Sequence, residues 1–375
     1  RTLSAGEAQR IALSSALGST LVGMLYVLDE PTAGLHPEDV RRLSRAIERL
    51  RDRGNTVVVV EHNEQILRLA DRILEIGPGA GAAGGRLTFD GNLEELVADA
   101  ESVTGSYLRP SGTTVPKSRK VRQPTGVIEL RGASGRNLQS IDVDFPLGVL
   151  CAVTGRSGSG KSTLIHDTFY GGVRQRLRQQ RDPSARDAGG STPLPFAALR
   201  GVHQIKDCLL VDQSPISRSP RSCPVTFAKA FDGIRAAFAE TVDASIRNFK
   251  AGHFSFNSAA GQCAACEGAG VQTVDMQFLA DVTMRCPECR GRRYRSEVLQ
   301  VRYRDRTIAE VLEMTVGEAS EFFRGHAKVQ ARLQRLIDVG LDYVALGQPA
   351  TTLSSGEAQR LKLAAFLAGS GQKPT

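Results

Sequence analysis

No apolar run in this chain is long enough to cross a bilayer. No secretory leader is visible, and the first residue is Arg1 rather than Met. The chain is therefore read as an internal piece of a longer protein, and a one-chain membrane transporter is disfavoured. Acidic residues are outnumbered: 40 Asp and Glu face 48 Lys and Arg, a formal charge of +8. That balance suits a nucleic-acid partner, although the placement of the charge counts for more than its sum. The seven cysteines include two close pairs, a usage that points to metal ligands in a reducing cytoplasm rather than to disulfides.

At 375 residues the chain has room for two or more domains. Its strongest internal feature is a repeat. Leu3-Ser4-Ala5-Gly6-Glu7-Ala8-Gln9-Arg10 returns as Leu353-Ser354-Ser355-Gly356-Glu357-Ala358-Gln359-Arg360, with seven of eight positions identical. One small device is used twice. It resembles the signature of ABC ATPases, a Ser-x-Gly turn opening a helix. The resemblance implies two ATPase halves, with Ser4, Gly6, Ser354 and Gly356 each capping a nucleotide held by the opposite half.

Leu25–Leu28 and Thr56–Val60 are short apolar runs with a helical stretch, 38–53, between them. They predict a βαβ unit in a mostly parallel sheet. Residues 72–76 and 86–90 read as further strands and 92–99 as a helix. From about 105 to 126 the pattern breaks: Pro110, Pro116 and Pro124 sit among Lys117, Arg119, Lys120 and Arg122, a basic linker. Strand pattern resumes at Val127 and reaches Val149–Val153. Residues 174–195, rich in Arg, Gln, Gly and Pro, read as a solvated loop or, less simply, as a DNA-contacting arm. Residues 327–339 have helical spacing.

Gly155-Arg156-Ser157-Gly158-Ser159-Gly160-Lys161-Ser162 fits G-x-x-x-x-G-K-[ST], placed between an apolar strand and a helix-like stretch. Backbone N–H groups freed by Gly155, Gly158 and Gly160 can turn inward around phosphates, with Ser157 and Thr163 in the same shell. Lys161 is expected to pair the β and γ phosphates, and Ser162 to ligate Mg²⁺. An acidic pair after a strand is commonly a solvated turn, and a lone histidine is commonly structural. Asp29-Glu30-Pro31, closing its strand ahead of Thr32-Ala33-Gly34-Leu35-His36, resembles Walker B and the D-loop. The resemblance makes Asp29 a Mg²⁺ orderer and Glu30 the residue that polarises water. It likewise makes His62 the switch histidine and Gln213 the Q-loop glutamine. The first half thus shows signature, Walker B and switch without a phosphate loop; the second shows phosphate loop, Q-loop and signature without a Walker B. The fragment alone is expected to be inactive as an ATPase.

Cys263-x2-Cys266-x19-Cys286-x2-Cys289 has the spacing of a closed four-thiolate Zn²⁺ site, structural rather than catalytic. Cys151, Cys208 and Cys223 lack such spacing and are read as packing residues. Eight arginines crowd 285–306. Arg290, Arg292 and Arg293, with Arg247 and Lys250 beside Phe249 and with Arg218 and Arg221, are candidates for phosphate-backbone contact. The plain alternative is an ordinary solvated face.

The order of these parts, with Phe254-Ser255-Phe256-Asn257 and Met314-Thr315-Val316 around the module, resembles the UvrA family across nearly the whole chain. That family is the damage-sensing ATPase subunit of bacterial nucleotide excision repair, part of an excision nuclease. The resemblance implies an α/β fold: ABC-type P-loop halves with mostly parallel sheets, an inserted helical region and a zinc module. It divides the chain into 1–108 (end of the first half), 109–126 (linker), 127–172 (start of the second half), 173–350 (insertion, zinc module at about 246–306) and 351–375 (second signature). It implies ATP, Mg²⁺ and Zn²⁺, and double-stranded DNA, a helicase subunit and a second copy as partners. It also implies no membrane, a cytoplasmic location and expression in the SOS response. Cys223, where the family string has a polar residue, leaves room for a paralogue that confers resistance to DNA-binding drugs. A tandem ABC translation factor, or a transporter's separate ATPase subunit, would share the signatures but not the four cysteines.

Overall fold

The computed structural model describes residues 22–79, 81, 84–109, 122–156, 158–181, 192–212, 216–217, 219–274 and 282–367. Ser4, Gly6, Ser157, Gln213, Arg218 and most of the expected linker lie outside these. The chain forms two compact units that divide between Leu210 and Val211, with 79–83 grouped with the second.

In the first unit, strands β1 (Leu25–Asp29) and β2 (Thr56–Val60) pair in parallel, Asp29 opposite Val60. The helix Pro37–Asp52 connects them. It starts at His36, whose Nδ1 accepts from Glu38 N at 3.2 Å, and its proline stands in the first turn, where no N–H is needed. Leu43 and Leu50 of this helix pack on Tyr26, Leu28 and Val57. The alternate strand residues point the other way. Leu25, Val27, Val58 and Val60 are 46–64% exposed, so one face of this small sheet is an uncovered apolar surface.

β3 (Ile73–Gly77) and β4 (Arg86–Gly91) pair antiparallel. β5 (Gly126–Gly135) and β6 (Leu138–Leu147) form a hairpin through Arg136 and Asn137, with β7 (Ala198–Arg200) on the free edge of β5. Short connections such as these two force antiparallel pairing. The expected mostly parallel sheets are therefore not what the described residues form: β1–β2 is their one parallel pair. Residues 149–153 do not form the expected strand either. They have no strand beside them among the described residues, and Leu150 is 95% exposed.

The helix expected after the phosphate loop is present and longer than its pattern suggested. It begins as a π-helical stretch, Thr163–Tyr170, and continues as an α-helix, Gly171–Arg181. Part of the expected loop at 174–195 is thus helical. Val173 and Leu177 supply the reason, since both are buried with Ile128, Leu130 and Leu199 of the three-stranded sheet.

The second unit is mainly helical. Helices Phe231–Ala239, Ile308–Glu313, Val316–Phe322, Ala327–Asp338 and Ser355–Leu367 surround Phe238, Phe254, Phe256, Tyr294, Phe323 and Leu333. Tyr294, buried among these rings, donates its hydroxyl to Phe254 O at 3.0 Å. A hairpin, β8 (Val271–Val274) and β9 (Val282–Arg285), separates the two cysteine pairs. Among the described residues no helix is long and apolar enough to cross a membrane.

Candidate nucleotide-binding and metal-binding sites

The phosphate loop hangs between the hairpin tip and its following helix. Gly155, Gly158 and Gly160 all have positive φ, at 148°, 77° and 98°, which side chains rarely adopt. Asn137, at the β5–β6 turn, donates Nδ2 to Gly158 O at 2.8 Å. A Cβ on Gly160 would come within 3.0 Å of the same asparagine. Asn137 therefore props the loop, a role no motif announces. Lys161 folds over the loop and donates to Gly155 O at 2.5 Å and Arg156 O at 2.8 Å. Leu164 N reaches Gly160 O at 2.8 Å, so Ser162 and Thr163 sit in the first helical turn.

Asp29 ends β1, and Glu30 follows it in a left-handed conformation, φ 43°. Glu30 N donates to Val60 O at 2.9 Å, which sets the acidic pair beside the end of β2 and hence near His62. The residue that organises this corner is Glu61. Its carboxylate accepts from Thr32 N at 2.8 Å, the Thr32 hydroxyl, His62 N at 2.9 Å and Asn63 N at 3.1 Å. Burial pushes the Glu61 carboxyl up, but these hydrogen bonds outweigh it and hold its pKa below the ordinary value. Glu61, between the strand residue Val60 and His62, matches no motif of its own, and only the fold brings Thr32 to its carboxylate.

The second octet opens its helix through a capping box. Ser354 Oγ accepts from Glu357 N at 3.3 Å, and Glu357 Oε2 accepts from Ser354 N at 2.8 Å. Glu357 Oε1 also accepts from the Tyr343 hydroxyl at 2.8 Å. Burial raises the Glu357 pKa, but the Ser354 and Tyr343 hydrogen bonds and nearby Arg360 lower it further. Arg360 donates to Gly340 O at 2.7 Å, just past the end of helix Ala327–Asp338. Glu and Arg of the octet are thus structural ties, while Ser354 and Gly356 stay exposed at the helix start.

The four cysteines converge. All are buried, and their sulfur atoms lie within 4.8 Å of one another. Cys266 Sγ and Cys289 Sγ are 3.7 Å apart; two sulfurs about 2.3 Å from a tetrahedral Zn²⁺ would be separated by about 3.8 Å. Each pair is followed by two left-handed residues, Glu267-Gly268 and Arg290-Gly291, which turn the chain back over the sulfurs. A Cβ on Gly268 would strike Phe256 O at 1.8 Å, so that turn requires glycine. Gly270 N donates to Cys266 Sγ at 3.2 Å. Burial pushes the Cys266 thiol up to about 12. An all-sulfur, buried, N–H-supported cluster of this size fits a structural Zn²⁺ held by Cys263, Cys266, Cys286 and Cys289. Cys223 is fully buried in the helical core, whereas Cys151 is exposed, which does not fit its expected packing role, and Cys208 is half-buried.

The arginines expected to contact DNA separate into two groups. Arg290 and Arg292 are exposed, as are Arg247 and Lys250. Arg221 is tied to Glu267 at 3.0 Å. Arg293 is 7% exposed, lies over the Phe256 ring and donates to Gly347 O at 2.9 Å. It belongs to the core rather than to a contact surface. Arg295 likewise spends its guanidinium on Ala259 O and Gln262 O, and Arg304 on Phe322 O and Arg324 O. Spacing alone did not reveal this, because backbone carbonyls are the acceptors.

No family model matches the chain. It is 51% identical over 365 residues, 97% of its length, to UvrABC system protein A of Methanothermobacter thermautotrophicus. It is 48% identical over all 375 residues to UvrABC system protein A of Thermus thermophilus. It spans 37% and 38% of those two proteins. The crystal structure of UvrA2 from Deinococcus radiodurans matches 99% of this chain, and 44% of its own, with a TM-score of 0.88 and 45% identity.

Proposed function

From the likeness over the segment shared with these relatives we propose that the chain belongs to the UvrABC system protein A family and is part of an ATP-dependent DNA-damage recognition subunit of nucleotide excision repair. The observation that carries this reading is the joining of a four-thiol module to an ABC-type signature helix in one compact unit, next in sequence to a phosphate loop. The four-cysteine cluster argues against a ribosomal factor or a transporter ATPase subunit. The relatives named UvrABC system protein A, 48–51% identical over nearly the whole chain, support the repair-subunit reading.

In this reading the loop at 155–163 holds the phosphates of ATP. Lys161, now satisfied by two carbonyls, exchanges them for phosphate oxygens, a stronger charge-assisted contact. Asp29 and Ser162 are the Mg²⁺ ligands of their respective halves, Glu30 and His62 the water-polarising and switch residues, and Gln213 the Q-loop residue. Ser4, Gly6, Ser354 and Gly356 cap nucleotide held opposite them. Mg²⁺ supplies charge neutralisation on the phosphates. Each composite site needs parts outside this chain, so turnover belongs to the complete, dimeric protein and this segment alone hydrolyses negligibly. Zn²⁺ braces residues 246–306, and exposed Arg247, Lys250, Arg290 and Arg292 meet the phosphate backbone of duplex DNA, with Arg218 a further candidate. Recognition through backbone and deformability suits lesions of varied chemistry. The helicase subunit of the excinuclease is the expected downstream partner, in the cytoplasm, and SOS induction fits that role.

The test is binding of the full-length protein to duplex DNA with and without one bulky lesion, in ATP, at two salt concentrations. Preference for the lesion duplex, affinity falling with salt, and loss in Cys286→Ser support the reading. Absence of DNA binding by a zinc-loaded, ATP-hydrolysing protein overturns it.

A further inference from the structure

The first unit carries a cleft that none of the nucleotide or metal residues line. One wall is the helix Gly171–Arg181, which holds arginines at 174, 176, 178 and 181 and no acidic residue. Burial of Val173 and Leu177 in the sheet core fixes the rotation of this helix. Arg174, Arg178 and Arg181, spaced four and three residues apart, consequently share one side. Tyr170, Asp207, Cys208 and Leu209 complete the lining of the cleft, around about 270 Å³.

The charge of this cleft is unbalanced. Arg181 approaches Asp207 at 3.6 Å and donates to Lys206 O at 2.8 Å. Arg174 lies 6.0 Å from the Tyr170 ring centre. Among the described residues no carboxylate pairs with Arg174 or Arg178. Burial and Asp207 raise the Cys208 thiol's pKa while Arg174 and Arg181 pull against them, so both guanidinium fields reach into the cleft. The helix dipole favours cations in the last turn and accounts for Arg178 and Arg181, but not for Arg174, in the middle of the continuous helix 163–181.

Size and spacing identify the ligand class. The volume falls below the roughly 300–1,000 Å³ of small-molecule pockets, so the cleft suits a charged group of a larger ligand rather than a whole cofactor. Arg174 and Arg181 are separated by about 10.5 Å along the helix axis, the rise of about three nucleotides at 3.4 Å each. We infer that this cleft takes the phosphodiester backbone of nucleic acid, with Arg174 and Arg178 on neighbouring phosphates and Arg181 steadied by Asp207 and Lys206 O. The inference rests on the DNA-binding reading above and adds to it a contact surface in the first unit.

The experiment compares the full-length protein with R174Q/R178Q and with R42Q/R176Q. The second double variant removes the same charge from exposed arginines that do not line the cleft. Duplex binding is measured by fluorescence anisotropy across a salt series, with and without a lesion. The expected result for R174Q/R178Q is about tenfold weaker binding near 0.1 M salt, and a log–log salt slope shallower by about 1.8, or about 0.9 per phosphate. Because backbone contacts carry no sequence or lesion information, the ratio of lesion to intact affinity stays unchanged. R42Q/R176Q keeps the wild-type slope. Peptide mapping after phenylglyoxal treatment shows Arg174 and Arg178 of the wild type protected by duplex. An unchanged slope in R174Q/R178Q, equal effects of the two double variants, or no protection overturns the cleft while leaving lesion binding intact. A wild-type protein that binds no duplex sinks the repair reading as well.

Discussion

Arg293 ties the metal module to the segment that leads into the signature helix: its Nη2 donates to Gly347 O at 2.9 Å, while its own carbonyl accepts from Cys263 N at 2.8 Å. Gly347 in turn donates to Leu312 O at 2.7 Å. The other terminal nitrogen of the guanidinium, Nη1, is buried without a partner among the described residues, which offsets part of the gain. Arg293→Met is expected to cost about 1–2 kcal/mol, the scale of a charged hydrogen bond less that offset. The urea midpoint reads it. Arg293→Lys should recover little, because an ammonium cannot reproduce the planar contact with Phe256. A midpoint equal to wild type in Arg293→Met would show that the tie carries no energy.

The metal module makes a stoichiometric prediction. A purified segment containing residues 246–306 should hold one Zn²⁺ per four-cysteine module by elemental analysis. Cys286→Ser should lower affinity beyond the roughly 10–100-fold cost of losing an outer partner, and a chelator should lower the thermal midpoint of the second unit. Zinc-free protein with an unaltered midpoint would contradict the structural role.

Glu61 predicts a pH dependence. Its folded pKa is depressed below the ordinary 4.5, so its contribution to stability is present above that value and is lost as pH falls through the folded pKa. Glu61→Gln should flatten this part of the stability–pH curve. Glu61→Ala should speed hydrogen exchange at the amides of Thr32 and Asn63 by about tenfold, the scale of a single net hydrogen bond. Unchanged exchange at those amides would remove Glu61 from its organising place.

At the second signature, Ser354→Ala removes the N-cap and is expected to cost about 1 kcal/mol, with Ser354→Gly costing only a few tenths. Thermal denaturation of the two variants separates them. Equal losses would show that the capping box does not hold the helix start.

For the nucleotide, Lys161→Ala in the full-length protein should weaken ATP binding more than tenfold, a loss of at least about 1.4 kcal/mol. Asn137→Ala should weaken it less, by loosening the loop rather than removing a charge. Isothermal titration distinguishes the two. Equal losses would place Asn137 on the ligand rather than behind the loop.

Local pattern made much of this legible. β1, β2 and the helix between them announce themselves by apolar runs of the right length, and the four cysteines by spacing that only a shared centre explains. The helix at Gly171–Arg181 did not, because its polar composition resembles a loop and only Val173 and Leu177, pressed on a distant sheet, make it fold. Pairing direction is not legible for a related reason: it depends on which segments become neighbours, and residues 149–153 have no strand beside them among those described.

What the sequence by itself determined is chemistry that depends on residue type and short spacing: thiol pairs, a glycine-rich loop ahead of a lysine, a repeated helix-opening octet, a surplus of positive charge. What only the tertiary structure decided is which charges are spent. Arg293, Arg295 and Arg304 are consumed by backbone carbonyls 18 to 54 residues away, and Glu61 by four donors around a corner, while Arg174 and Arg178 are left facing a cleft. Every backbone carbonyl is an acceptor whatever its side chain, so no sequence pattern marks the one that a given arginine will find.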